Sequence, residues 1–362
     1  MLERYGHGGD LTTAAEAYGR QEDEFVDFSS NMNPLGPPEA VRRELVRYAE
    51  RIAAYPDPAV RRLRAKLAAR YGISEEAILA GNGAAELIDL AVRAFRPGTV
   101  ALPMPSFGEY ADAVRKAGGR IIPVPLRPES DFTLDERAFA EAESASSADM
   151  LFIGSPNNPT GRLADPSLIL KLAERGGIVI VDEAFIDFVP DEERYTLIRE
   201  AAVRPNLFVI RSMTKFYAVP GIRLGYMVGS PAGLDRLRGL QIPWSVNSLA
   251  QRIGEAVLDD AAFAAETHRW LQREKPRLAG KLKQLGMHVY PSDANYLLAR
   301  LPEAEGLTAA SLQREMGRRG VLIRDASRFD GLDGRYCRFA VKLREHNDRL
   351  AAALGECLRL FL

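Results

Sequence analysis

The sequence predicts an α/β protein, with a mainly parallel central sheet in a large domain and a smaller α+β domain beside it. Three observations predict this. Short apolar runs at residues 99–102, 120–126, 150–153, 178–181 and 207–210 alternate with stretches of helical periodicity. Runs that stay apolar throughout read as strands covered on both faces, as in parallel sheets. From about residue 230 the alternation gives way to longer helical patterns and scattered short strands. The predicted boundaries are residues 30–235 for the large domain, and 1–29 with 236–362 for the small one.

Residues 27–38 are dense in Asn, Ser, Pro and Gly, which excludes a regular element and marks a loop. Residues 38–53 read as an amphipathic helix that stops before Tyr55-Pro56-Asp57-Pro58, because a residue preceding proline is pushed out of the helical region. A basic helix follows at 59–70. At 78–88 a short apolar piece meets Gly81 and Gly83, and a helix then places Leu87, Leu90, Ala91, Ala94 and Phe95 on one face. Glycines at such a turn expose backbone N–H groups at the positive end of the helix, which suits an anion. The turn lacks both the lysine of a nucleotide-binding P-loop and the third glycine of a dinucleotide fingerprint. Asp165 and Pro166 fit the N-cap and first turn of a helix at 166–175. Beyond 231–240, also helical, the sequence predicts a loop at 243–247 and helices to about residue 285, interrupted near Pro276. Strands at 287–290, 296–301, 321–324 and 335–343 and helices at 307–319 and 346–361 complete the small domain.

The balance of 48 basic and 49 acidic side chains argues against a nucleic-acid or membrane-surface partner. Two cysteines give no disulfide framework and fit a reducing cytoplasm. The first residues show no signal peptide, and no run is long enough to span a bilayer. No metal site is predicted.

Chemistry gathers in the loops after the apolar runs. Ligands of open α/β sheets bind at the carboxyl edge of the strands, so Phe107, Asn158, Asp182 and Lys215 should converge. The segment from 206 to 226 is the most telling. A buried strand leads into Ser212, Thr214 and Lys215, a turn at Pro220-Gly221 follows, and Arg223 stands eight residues past the lysine. Two hydroxyls and a guanidinium suit a bound phosphate.

The ordered set Asn158-Pro159-Thr160-Gly161, Asp182, Ser212-x-x-Lys215 and Arg223 resembles the class I/II aminotransferases, fold-type I enzymes that use pyridoxal 5′-phosphate. The resemblance runs from Asp27 to Arg338. It implies that Lys215 binds the cofactor aldehyde and later shuttles a proton, since only an amine forms that linkage. It implies that Asp182 keeps the pyridine nitrogen protonated, so that the ring accepts electrons. Asn158 would donate to the ring oxygen and Phe107 would stack on the ring. Ser212, Thr214, Arg223 and the backbone of Gly83, Ala84 and Ala85 would hold the phosphate. Tyr55 resembles a tyrosine that reaches that phosphate from a second subunit, which implies a homodimer with shared active sites.

Within the superfamily the sequence resembles the L-threonine-O-3-phosphate decarboxylases of cobalamin biosynthesis and, next to them, the histidinol-phosphate aminotransferases. The marks are His7-Gly8-Gly9, residues 27–36, Asp182-Glu183-Ala184-Phe185 and residues 243–247. In the aminotransferases the position of Phe185 is usually a tyrosine that reaches the ring oxygen. The resemblance implies a small phosphorylated amino acid as substrate. His7, Asn31 or Asn33, Asn157, Arg324 and Arg338 are its predicted contacts. An arginine in an apolar strand pattern implies an anion beside it. The partner of Arg338 stays open between carboxylate and phosphate.

Overall fold

The computed structural model describes residues 8–361, the side chain of Glu143 apart. Seven strands form the central sheet, in the order Ile78–Gly81, Gly225–Val228, Leu207–Ser212, Ile178–Asp182, Met150–Gly154, Thr99–Met104 and Arg120–Pro125. From Leu207–Ser212 to Arg120–Pro125 every pairing is parallel. Gly225–Val228 runs antiparallel to both its neighbours. The predicted fold class therefore holds, with one reversed strand that the sequence reading had passed over as part of the lysine segment.

The apolar runs are continuous because the sheet has a core on each side. Leu207 and Val209 enter one core and Phe208 and Ile210 the other, all fully buried. Val179 and Val181 face the first core while Ile180 faces the second. Each such side chain contributes about 1.5–3 kcal/mol on burial, enough to fix the strand where it lies.

Two smaller sheets lie outside this one. Four antiparallel strands follow the order Arg324–Asp325, Tyr336–Ala340, Tyr296–Arg300, His288–Val289. Val26–Asp27 pairs in parallel with Val321–Leu322, and Ala340 N–H donates to Phe28 O at 3.0 Å. The stretch predicted as one strand at 321–324 is thus two, shared between sheets and divided at Ile323. A second correction concerns Pro276, which lies inside the continuous helix Ala261–Gln284. The interruption falls earlier, after Ser248–Val257, where Asp260 caps the new helix by accepting from Phe263 N–H at 3.0 Å. The helix runs through Pro276 because Phe263, Trp270 and Leu271 before it and Leu278 and Leu282 after it all pack into the core.

Behind the carboxyl edge of the central sheet sits a buried cation. Arg211 is 1% exposed. Its Nε donates to Glu183 at 2.9 Å, Nη1 to Glu192 at 2.9 Å and Asp187 at 3.3 Å, and Nη2 to Thr196 at 3.1 Å. Glu183 also accepts from Leu197 N–H and from the Thr196 hydroxyl. Burial pushes the Glu183 carboxyl up to about 7 against the pull of Arg211. Replacing Arg211 by leucine strands these carboxylates in the interior. The expected loss is about 3–5 kcal/mol of stability, read as a lower urea midpoint at neutral pH, whereas a surface substitution such as Arg194→Leu shifts it little.

Candidate active site

A cavity of about 430 Å³ opens at the carboxyl edge of the sheet. Each strand end delivers one group to it. Thr99–Met104 leads to Phe107, Met150–Gly154 to Asn158, Ile178–Asp182 ends on Asp182, and Leu207–Ser212 runs into the short helix carrying Thr214 and Lys215. The four residues expected to converge all line this cavity.

One end of the cavity is built for an anion. Helix Ala84–Phe95 points its N-terminus there, with Ala84 and Ala85 in the wall. Gly83 precedes it with φ +82°, and a Cβ at that position would stand 2.4 Å from Arg223 Nη2. A side chain is excluded both by backbone conformation and by the guanidinium lying against it. Ser212 Oγ and Thr214 Oγ1 are 2.8 Å apart on the facing side. Backbone donors, two hydroxyls and an arginine form the combination that binds phosphate.

Asp182 is 6% exposed. It accepts from Tyr110 Oη at 2.7 Å and from Ala184 N–H at 3.0 Å. Burial raises its carboxyl above the usual range, while these donors and the Lys215 charge hold it down. Lys215 is mostly buried. Burial first, then the charges of Arg338 and Arg223, bring its amine down to about 8.

The far wall is cationic. Arg324 and Arg338 are direct partners on neighbouring strands, each 5% exposed, and both flank the Phe329 ring. Arg338 donates to Asn158 Oδ1 at 2.5 Å and to Ser29 O at 2.6 Å. The amide oxygen of Asn158 being occupied, its NH2 is the group left to serve a ligand. Asn31 also lines the cavity, and its buried Oδ1 has no hydrogen-bond partner among the described residues. Phe185 lies in the wall with its ring edge-on to Tyr296, centroids 5.0 Å apart.

Three expected contacts sit elsewhere. Asn33 spends its amide on Phe216 O and Thr267 Oγ1 and accepts from Leu35 N–H, so it shapes the loop and faces away from the cavity. Asn157 likewise turns inward, donating to Pro105 O and Thr160 Oγ1. Both are corrections: a buried amide among backbone groups satisfies the loop first. Tyr55 is 84% exposed and leans on Trp244, away from this chain's cavity. His7 lies outside the described residues, although its neighbour Gly8 lines the cavity. Tyr110 and Ser29 were missed. Tyr110 follows Phe107 by one helical turn, a spacing that in sequence reads only as core packing.

The residues present fit pyridoxal phosphate: an anion cradle, a buried carboxylate, a stacking ring, and between them an amine that is partly neutral near physiological pH. The comparisons agree. The profile of the family "Aminotransferase class I and II" matches residues 23–354. Threonine-phosphate decarboxylase of Salmonella typhimurium is 40% identical over 97% of this chain and 96% of its own. A histidinol-phosphate aminotransferase of Oleidesulfovibrio alaskensis is 33% identical over 98% of this chain and 92% of its own. The solved L-threonine-O-3-phosphate decarboxylase from Porphyromonas gingivalis superposes with a TM-score of 0.82 at 29% identity, covering 92% of this chain and 99% of that one.

The Lys215 amine yields a direct check. The neutral amine is the nucleophile, and in this cavity it prevails above about pH 8 where a free lysine needs about 10.5. Carbamylation of cofactor-free protein by cyanate, followed by peptide mass spectrometry, should show Lys215 half-titrated near pH 8. A midpoint like that of surface lysines would contradict the electrostatic reading.

Proposed function

The chain belongs to the class I and II aminotransferase family, and we propose that it is a pyridoxal-phosphate-dependent carboxy-lyase that decarboxylates L-threonine O-3-phosphate. The products are CO2 and (R)-1-amino-2-propanol O-phosphate, a unit for the side chain of cobalamin. One observation carries this reading: two arginines stand side by side in the wall facing Lys215, a number suited to a substrate with two anionic groups. The likeness to threonine-phosphate decarboxylase supports it.

When bound, pyridoxal phosphate supplies an aldehyde for the substrate amine and a ring that accepts the electron pair left at Cα. Ser212, Thr214, Arg223 and the N–H groups of the helix Ala84–Phe95 would hold its phosphate. Asp182 would keep its ring nitrogen charged, Phe107 would cover the ring face, and Asn158 would donate to the ring oxygen. Arg338 lies near enough for its charge to reach Lys215, so it takes the carboxylate side of the substrate. Arg324 and Asn31, with the N-terminal segment about His7, take the substrate phosphate. The bond that breaks joins Cα to the carboxylate. CO2 leaves, and Lys215 Nζ delivers the proton that replaces it on Cα. Phe185 offers no hydroxyl, which removes the donor that the related aminotransferases use at that position.

The same reading has the enzyme act as a cytoplasmic homodimer. Tyr55 and Trp244 are exposed and lean on each other, Ile52 and Ile242 are exposed as well, and large apolar side chains left in the open suit contact with a second copy. Tyr55 would then reach the partner's phosphate site.

Protein loaded with pyridoxal phosphate and given L-threonine O-phosphate, with no keto acid, should release CO2 steadily. Lys215→Ala should abolish both turnover and the Lys215-dependent imine absorbance of the bound cofactor. Arg324→Gln should raise KM roughly 10- to 100-fold with a smaller change in kcat, as expected for one lost charge-assisted contact to a bound anion. Glutamate formed from 2-oxoglutarate and histidinol phosphate, with no CO2, would instead assign the chain to the aminotransferases.

A further inference from the structure

Asp182 must stay ionised in a place that disfavours charge. It is buried, and a neutral carboxyl could not hold a ring nitrogen in its charged form. Two protein donors reach it. The Ala184 N–H is fixed by the backbone and serves Oδ1; the Tyr110 hydroxyl serves Oδ2 at 2.7 Å. The Tyr110 ring is clamped. It stacks on Phe152 at 5.0 Å with the planes 8° apart, and meets Phe107 edge-on at 5.6 Å. Gly154, the register partner of Asp182, lies beside the hydroxyl: a Cβ there would be in van der Waals contact with Tyr110 Oη at 3.4 Å.

We propose that Tyr110 is a positioning residue for Asp182: its hydroxyl fixes the carboxylate plane and stabilises the charged form, so that the strength of the ring-nitrogen contact is set from one bond behind it. The proposal rests on the function given above. Tyr110 touches the Phe107 ring as well, so a single side chain orders both the group at the ring's edge and the group on its face. No proton need leave Tyr110. Burial and the Asp182 charge drive its hydroxyl well above the ordinary range, so it remains a donor throughout.

The test uses Tyr110→Phe, which keeps every ring contact and removes one oxygen. Dissociation constants are measured for pyridoxal phosphate and for the analogue in which C–H replaces the ring nitrogen. Comparing two ligands on one variant cancels any general loosening of the fold. The expected result is about tenfold weaker binding of pyridoxal phosphate, the usual effect of losing one hydrogen bond to a charged group, with less than a twofold change for the analogue. In turnover, kcat should fall while KM moves little. Equal weakening of both ligands would mean that Tyr110 only packs, and unchanged binding of both would mean that it does not act on Asp182; either overturns the proposal alone. Wild-type protein that develops no Lys215-dependent absorbance would remove the functional reading, and this inference with it.

Discussion

Arg211 and Glu183 follow directly after Ile210 and Asp182, the last register pair of two neighbouring parallel strands. Side chains alternate along a strand, so this ion pair lies behind the sheet while Asp182 and Ser212 face the cavity. A slip of one residue in the first strand would put Glu183 into the cavity and Asp182 behind it, and a slip in the second would exchange the faces of Arg211 and Ser212. Either would strip Arg211 of its carboxylates. The cost of an unpaired interior charge forbids that slip far more strictly than apolar packing does. The placement of every group in front of the sheet depends on this pairing at the back.

In front, the charges are unequal by design of the walls. Six cations, Lys215, Arg223, Arg324, Arg338, Arg115 and Arg328, line one cavity with four carboxylates, Asp182, Glu109, Asp112 and Asp330. An interior with more cations than anions does two things at once. It drives the weakest base, Lys215, toward its neutral form, and it stabilises incoming phosphate and carboxylate groups. The same field thus prepares the nucleophile and recruits the ligands. The two effects relax together, since each anion that enters offsets a charge that had been lowering the affinity of Lys215 for its proton.

Much of this was legible in the sequence, for a physical reason. Strands buried on both faces leave uninterrupted apolar runs, and the loops that follow them carry the chemistry, so Phe107, Asn158, Asp182 and Lys215 could be placed on one sheet edge before any coordinates. The antiparallel strand Gly225–Val228 was not seen, because a turn and a strand of four residues leave no periodicity to read. Of the alternatives Asn31 and Asn33 it is Asn31 that lines the cavity, and Asn33 and Asn157 bond within their own surroundings; an amide that serves its own loop has the same composition as one that serves a cavity. Tyr110 was missed for the converse reason: an aromatic at helical spacing looks like core until its hydroxyl is seen on Asp182. The helix through Pro276 shows that a local breaker yields when capping and packing agree on another boundary.

Val26–Asp27 is joined to Val321–Leu322, and Arg338 donates to a carbonyl 309 residues before it. The cavity therefore closes by the meeting of the two most distant parts of the chain. Its loop-closure entropy is met only once both arms have docked, so contact order places this step late in folding. The sheet from Ile78 to Val228 needs neither arm for its own pairing and can form while the chain is still being made. At about 5–20 residues per second, roughly 15–60 s separate the emergence of Ser29 from that of Arg338. Through that interval the early segment waits without its partner strand, and Ser29 without the guanidinium that binds it. The cationic wall is complete only once Arg338 has been made and has reached Ser29.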